Sequence, residues 1–186
     1  MQKQFIDNLI LTLGNIKNLR RRGWIKRHVS DPESDADHMY SVALEVLLLA
    51  PEHLDRFHCL ELALTHDLPE LYASDFTPGE IAAAEKYELE LAAARRLAAE
   101  LNFPQLVEWF AEFEAQKTPE AAFVKCLDKL DNVLTAAYYE RSRRGSEGLL
   151  REFSAHAAAG ISASACADKD VCSEIINTVI NNAKQS

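Results

Sequence analysis

Apolar side chains recur at three- and four-residue intervals along most of the chain, and no stretch alternates as a half-buried strand would. Phe5, Leu9, Ile10, Leu13 and Ile16 predict a helix over 3–19 with one buried face. The loop Ser30-Asp-Pro-Glu-Ser34-Asp35 is dense in turn formers, and either Ser34 or Asp35 is placed to cap a second helix. That helix spans about 36–49 and is stopped by Pro51. A third spans about 54–71, with Leu60, Leu64 and Leu68 facing the core. Pro69 weakens or bends it, lacking the amide that would bond back to Thr65. A long Ala-rich helix over 80–102 and a shorter one over 104–116 follow. Thr118-Pro119-Glu120 then opens a strong helix to about residue 143, with Thr as cap, Pro in the first turn and an acid near the positive end of the dipole. Residues 146–184 add two helices around an Ala/Ser-rich connection at 155–167. The pattern predicts an all-α, single-domain helical bundle over 1–186.

A chain of 186 residues can bury a sizeable core in one domain. No run of about eighteen uncharged apolar residues is present, which argues against a membrane span. The N-terminal stretch, with Asp7 close to its apolar run, reads as an amphipathic helix and not as a secretory leader. Cys59, Cys126, Cys166 and Cys172 show no paired spacing, so a reducing cytoplasm is the expected setting. A net charge of −9 argues against binding a nucleic-acid polymer. The segment from Lys17 to His28 departs from that balance, carrying six basic residues and no acid, with Gly23 ending its basic turn. It is either a solvated helix end or an anion-binding edge sized for one phosphate.

Asp128 is surrounded by Phe123, Leu127, Leu130 and Leu134. A carboxylate buried there is costly unless it is paired, with Lys125 or an arginine, or coordinated to a metal. Asp131 reads as the solvated neighbour. Upstream stand the adjacent pair His66-Asp67 and, earlier, His38. Two imidazoles and two carboxylates make a full protein ligand set for one divalent ion, with room left for water and a phosphate oxygen. Glu70 lies one turn after His66, and Asp75 lies in the loop beyond it. The remaining histidines, His28, His53, His58 and His156, read as surface or packed residues.

Four separated motifs now fall in a recognisable order. Arg22-Gly-Trp24-Ile-Lys-Arg, Pro32-Glu33-Ser34-x-x-Asp37-His38-Met39-Tyr40, His66-Asp67-x-x-Glu70-x-x-x-x-Asp75 and Phe123-Val124-Lys125-x-Leu127-Asp128-Lys129 resemble those of HD-domain 5′-deoxynucleotidases. The resemblance covers about 5–145, while 146–184 match only as generic helices. It implies a metal-dependent phosphomonoesterase that removes the 5′-phosphate from 2′-deoxynucleoside 5′-monophosphates. It implies His38, His66, Asp67 and Asp128 as metal ligands, Glu70 as catalytic carboxylate, Asp75 as a second pocket acid and Trp24 against the sugar. Gly23 stands where the bacterial branch has an arginine, so Arg21 or Arg22 would meet the phosphate, with Arg27 as a further candidate. Asp35 replaces an apolar residue and adds charge at the pocket mouth.

The ion implied is a single divalent one: Co²⁺, Mn²⁺ or another transition metal, with Mg²⁺ or Zn²⁺ also compatible. The resemblance further implies a homodimer, and Trp109, Phe110 and Phe113 either supply that contact or close the core. Rival readings keep the ion but change the outcome. One is an HD-domain phosphodiesterase or nucleoside-triphosphate hydrolase; another is a non-catalytic protein whose helices the metal staples; a third is a basic-helix nucleic-acid binder.

Overall fold

The computed structural model describes residues 3–74, 76–77 and 79–183. Among them are ten helices and no strand: α1 (Lys3–Asn18), α2 (Arg22–Ile25), α3 (Asp35–Leu49), α4 (Arg56–Ala63), α5 (Glu70–Ala73), α6 (Ala83–Glu100), α7 (Gln105–Ala115), α8 (Pro119–Arg141), α9 (Leu149–Ala163) and α10 (Lys169–Ala183). The expected all-α bundle is the observed one.

The longest helix, α8, forms the centre. Thr118 caps it by accepting from the Ala121 amide, and Pro119 occupies its first turn. Buried residues lie on nearly every side of it, so α3, α4, α7, α9 and α10 pack around it. The main core joins Val42 and Val46 of α3, Leu62 of α4 and Phe113 of α7 to Phe123, Leu127 and Leu130 of α8. A smaller cluster gathers Trp24, Val29, Ala136, Tyr139 and Leu149, with Phe153 against it. Helices α6 and α7 close the other flank through Leu91, Leu97, Leu106 and Phe110.

The largest departure from the sequence pattern falls where the chemistry lies. The third predicted helix is broken into α4 and α5 by a run of turns at 64–69. Pro69 offers no amide, and the Thr65 hydroxyl takes the Glu61 carbonyl at 2.6 Å. Amides there reach back three residues: Leu68 to Thr65, and Glu70 to Asp67. Leu64 points outward as a result, and Cys59, Leu62 and Ala63 fill the core in its place.

Other corrections are smaller. Gly23 lies inside α2, and the basic segment ends instead at His28 with φ 56°. The expected connection at 155–167 is mostly α9, because alanine runs favour helix once packed; the actual link is 164–168. On α1, Ile16 is buried but Ile10 and Leu13 are exposed. Phe110 and Phe113 are buried, and Trp109 packs against the same core, so these residues close it and do not form a surface.

His58 has partners that its sequence neighbours did not announce. Its Nδ1 lies 3.0 Å from Glu61 and its Nε2 2.8 Å from Glu112, which joins α4 to α7. Partial burial opposes the charged ring, but the two carboxylates raise its pKa above the usual value. The stabilisation is therefore complete below the unfolded value of about 6.5. It is lost as pH rises through the higher folded value. Melting curves between pH 5.5 and 9 should show the gap between wild type and His58→Gln shrinking toward high pH. A gap independent of pH would exclude this link.

Candidate metal centre

Local structure delivers each candidate ligand. Ser34 caps α3 through a reciprocal box: its hydroxyl accepts from the Asp37 amide, and Asp37 accepts from the Ser34 amide at 2.9 Å. This sets His38 on the first turn, where its side chain is wholly buried. The broken segment before α5 turns His66 and Asp67 toward the same point, and the middle of α8 brings Asp128. His38 Nε2 lies 3.3 Å from His66 Nε2, 3.6 Å from Asp67 Oδ2 and 3.4 Å from Asp128 Oδ1.

The tautomers follow from the second ring nitrogens. His66 Nδ1 donates to the Ala63 carbonyl at 2.9 Å, and His38 Nδ1 meets Asp131 Oδ2 at 2.6 Å. With both rings neutral, the two Nε2 lone pairs would face one another among carboxylate oxygens. Ligands about 2.1 Å from a single ion lie roughly 3.0–3.4 Å apart, and the three contacts of His38 Nε2, at 3.3, 3.6 and 3.4 Å, are near that spacing. Charge points the same way. Burial and Arg21 disfavour a protonated His38, yet Asp128 and Asp131 outweigh them and push it up to about 10. Burial holds His66 down instead. Burial also opposes ionised Asp67, but His66, Arg21 and His38 keep its pKa well below the usual range; Asp128 is held down likewise by Lys129 and His38. His38, His66 and Asp67 present donor atoms within 4.8 Å of one another that could hold a cation, with Asp128 beside His38.

Asp131 corrects the sequence reading. It is 3% exposed, not solvated, and it orients His38. Partners of this kind typically contribute about 10–100-fold to metal affinity. Asp131→Asn should weaken the metal by that factor in a chelator competition, and an unchanged affinity would remove Asp131 from the centre. Asp35, expected at the pocket mouth, is fully buried; it lies 3.9 Å from Arg21 and groups with Asp67 and Glu70.

A cavity of about 930 Å³ opens from His66, Asp67, Glu70 and Asp128. Backbone pairing of 19–21 with 33–35 holds Arg21 over the start of α3. Its Nη1 donates to Asp67 Oδ2 at 2.8 Å, and Nη2 reaches Asn132 at 3.4 Å. Arg22 turns away to Glu80 at 2.9 Å. Arg27 lines the cavity, paired with Glu152 and 4.8 Å above the Phe153 ring. Trp24 is 1% exposed: Phe153 stacks on it at 4.2 Å, Tyr139 meets it edge-on at 5.2 Å, and its Nε1 donates to Glu33 at 2.8 Å. It is a wall of the cavity and not an open platform. Lys86, Lys125 and Lys129 add positive charge that the sequence reading did not assign to the pocket. Lys129 is bonded to Asp128 at 2.9 Å, which answers the expectation of a pairing with Lys125 or an arginine. Asp75 lies outside the described residues. His156, read as surface or packed, lines the cavity with its Nδ1 toward the Glu152 carbonyl.

An all-helical fold with His and Asp converging from the middle of α8, the start of α3 and a broken helix defines a class, and the comparisons agree with it. The family model described as HD domain matches residues 13–168, and the chain belongs to that family. Among curated relatives, the 5′-deoxynucleotidase HDDC2 of Bos taurus is 37% identical over 145 residues, which is 76% of this chain and 70% of the relative. The 5′-deoxynucleotidase hdd1 of Schizosaccharomyces pombe is 32% identical over 145 residues, 74% of this chain and 73% of the relative. A conserved hypothetical protein from Pyrococcus furiosus superposes with a TM-score of 0.76 at 31% identity, covering 95% of this chain and 99% of that one.

Proposed function

We propose that this chain is a metal-dependent 5′-deoxynucleotidase, releasing phosphate from 2′-deoxynucleoside 5′-monophosphates. The observation that carries the reading is the cluster of His38, His66 and Asp67, with Asp128 against His38, beside Arg21 and Glu70 at a cavity that arginines and lysines line. His38, His66, Asp67 and Asp128 would hold one divalent ion, with Mn²⁺ or Co²⁺ suited to the mixed imidazole and carboxylate set. Such an ion supplies a Lewis acid for a phosphate oxygen and lowers the pKa of water toward neutrality.

The chain's own residues do the rest. Arg21 lines the cavity beside Asp67, and its guanidinium has more N–H donors than Asp67 and Asn132 consume, which favours it over Arg22 as the phosphate ligand. Lys129 and Lys125 add charge where water is partly excluded. Glu70, buried and beside Asp67, would hand a proton to the departing 5′-oxygen as water attacks phosphorus. Trp24 and Phe153 wall the sugar end, a steric basis for disfavouring a 2′-hydroxyl. Asp75 would serve as a second acid near the sugar or water.

The setting and assembly belong to the same reading. No helix among the described residues is long and apolar enough to cross a membrane, and all four cysteines are free and buried, which suits a reducing cytoplasm. A homodimer would form through the exposed Ile10, Leu11 and Leu13 of α1.

Phosphate release tests the activity. After chelation and reloading with Mn²⁺ or Co²⁺, deoxynucleoside monophosphates should turn over faster than ribonucleotides, and EDTA should stop the reaction. Equal rates on both sugars would remove the deoxy preference. Turnover only of triphosphates or cyclic nucleotides would replace the monoesterase reading.

A further inference from the structure

A second cavity, of about 610 Å³, shares no lining residue with the first and falls within the size range of small-ligand sites. It is a groove between two helices. Leu44, Glu45 and Leu48 line it from α3, and Leu134, Thr135 and Tyr138 line it from α8, each set at the spacing of one helical face. Asp131, the partner of His38, also borders it.

Glu45 decides what the groove can hold. The residue is 8% exposed, and its Oε2 is buried with no hydrogen-bond partner. Among the described residues, no ion pair reaches it either. The other charged groups of the groove are already matched. Arg20 faces Asp37 at 3.8 Å and donates to the Pro32 carbonyl at 3.1 Å. Arg144 faces Asp31 at 3.2 Å and donates to the Ser30 carbonyl at 3.0 Å. Asp131 has His38, and Glu33 has Trp24 and Arg21. A buried ionised carboxylate is costly, and burial followed by Asp131 pushes the Glu45 carboxyl up to about 9 against the pull of His38, so it keeps its proton at neutral pH.

A cation in the groove would supply the counter-charge that lets this carboxyl ionise. The other carboxylates of the groove are already held by His38, Trp24 and the arginines, which leaves a divalent metal only Glu45, fewer oxygen ligands than such an ion takes. An anion would meet the carboxyl groups of Asp31, Glu33, Asp37, Glu45 and Asp131 against only two arginines. We propose that the α3–α8 groove binds a small primary ammonium ion, its charged head against Glu45 and the Thr135 hydroxyl, its alkyl body along Leu44, Leu48, Leu134 and Tyr138. Tyr138 also offers an aromatic face of the kind that attracts organic cations.

Calorimetric titration of the metal-loaded chain with n-butylammonium chloride tests this, with 1-butanol as the uncharged control. Wild type should bind butylammonium saturably, and both 1-butanol to wild type and butylammonium to Glu45→Gln should bind at least tenfold more weakly. Leu48 is 73% exposed, so Leu48→Lys places a tethered ammonium one turn from Glu45 at little risk to folding. That variant should abolish binding while its circular dichroism stays that of the wild type. The site is overturned by absence of saturable binding to wild type, by undiminished binding to Glu45→Gln, or by undiminished binding to a folded Leu48→Lys.

Discussion

His66→Ala should lose metal and activity together. The imidazole is one of two neutral donors in a set otherwise made of carboxylates, and its Nε2 sits 3.3 Å from that of His38. Lewis-acid stabilisation is worth several kcal/mol, and about 4 kcal/mol corresponds to roughly a thousandfold in rate. We expect kcat/KM to fall by at least about that factor, and elemental analysis to find far less than one equivalent of bound metal after dialysis. The fold should persist, because Leu62, Phe123 and Leu127 pack among apolar neighbours, and the ring gives up only its contact with Phe113 at 4.9 Å. A variant that retained a full equivalent of metal and a tenth of the activity would show that His66 is not a ligand.

Glu70→Gln separates proton transfer from metal binding. The amide keeps the shape of the side chain beside Asp67 and Asp35 but cannot give up a proton. A positioned general acid or base contributes about 10²–10⁴-fold, so kcat should fall within that range while metal content and affinity stay at wild-type levels. Together the two variants distinguish a site that cannot hold its ion from one that holds it idle. Full turnover by metal-loaded Glu70→Gln would assign the proton step elsewhere.

Much of this candidate site was legible in the chain because its candidate ligands announce themselves. Asp128 stands amid apolar neighbours, where an uncompensated carboxylate is expensive, and His66-Asp67 supplies adjacent donors. A further signal was present and passed unread. Lys125, Asp128, Lys129 and Asn132 fall at i, i+3, i+4 and i+7, a polar stripe on an otherwise buried helix, and all four line the cavity. Asp131 gave no such sign. Three residues after Asp128 it could equally have faced solvent, and only the packing of α3 against α8 brings His38 to it. Arg21 and Arg22 likewise look alike in sequence. The pairing of 19–21 with 33–35 sends one inward to Asp67 and leaves the other on Glu80.

Local rules were enough for the class of fold, the capped starts of α3 and α8, and the types of side chain that gather a divalent ion, because periodicity, capping and the cost of burying charge act over a few residues. The break at 64–69, the burial of Asp35 and Asp131, the walled position of Trp24 and the groove around Glu45 were decided only by the assembled bundle. Each depends on which helix faces lie against one another, and that is settled by long-range packing around α8.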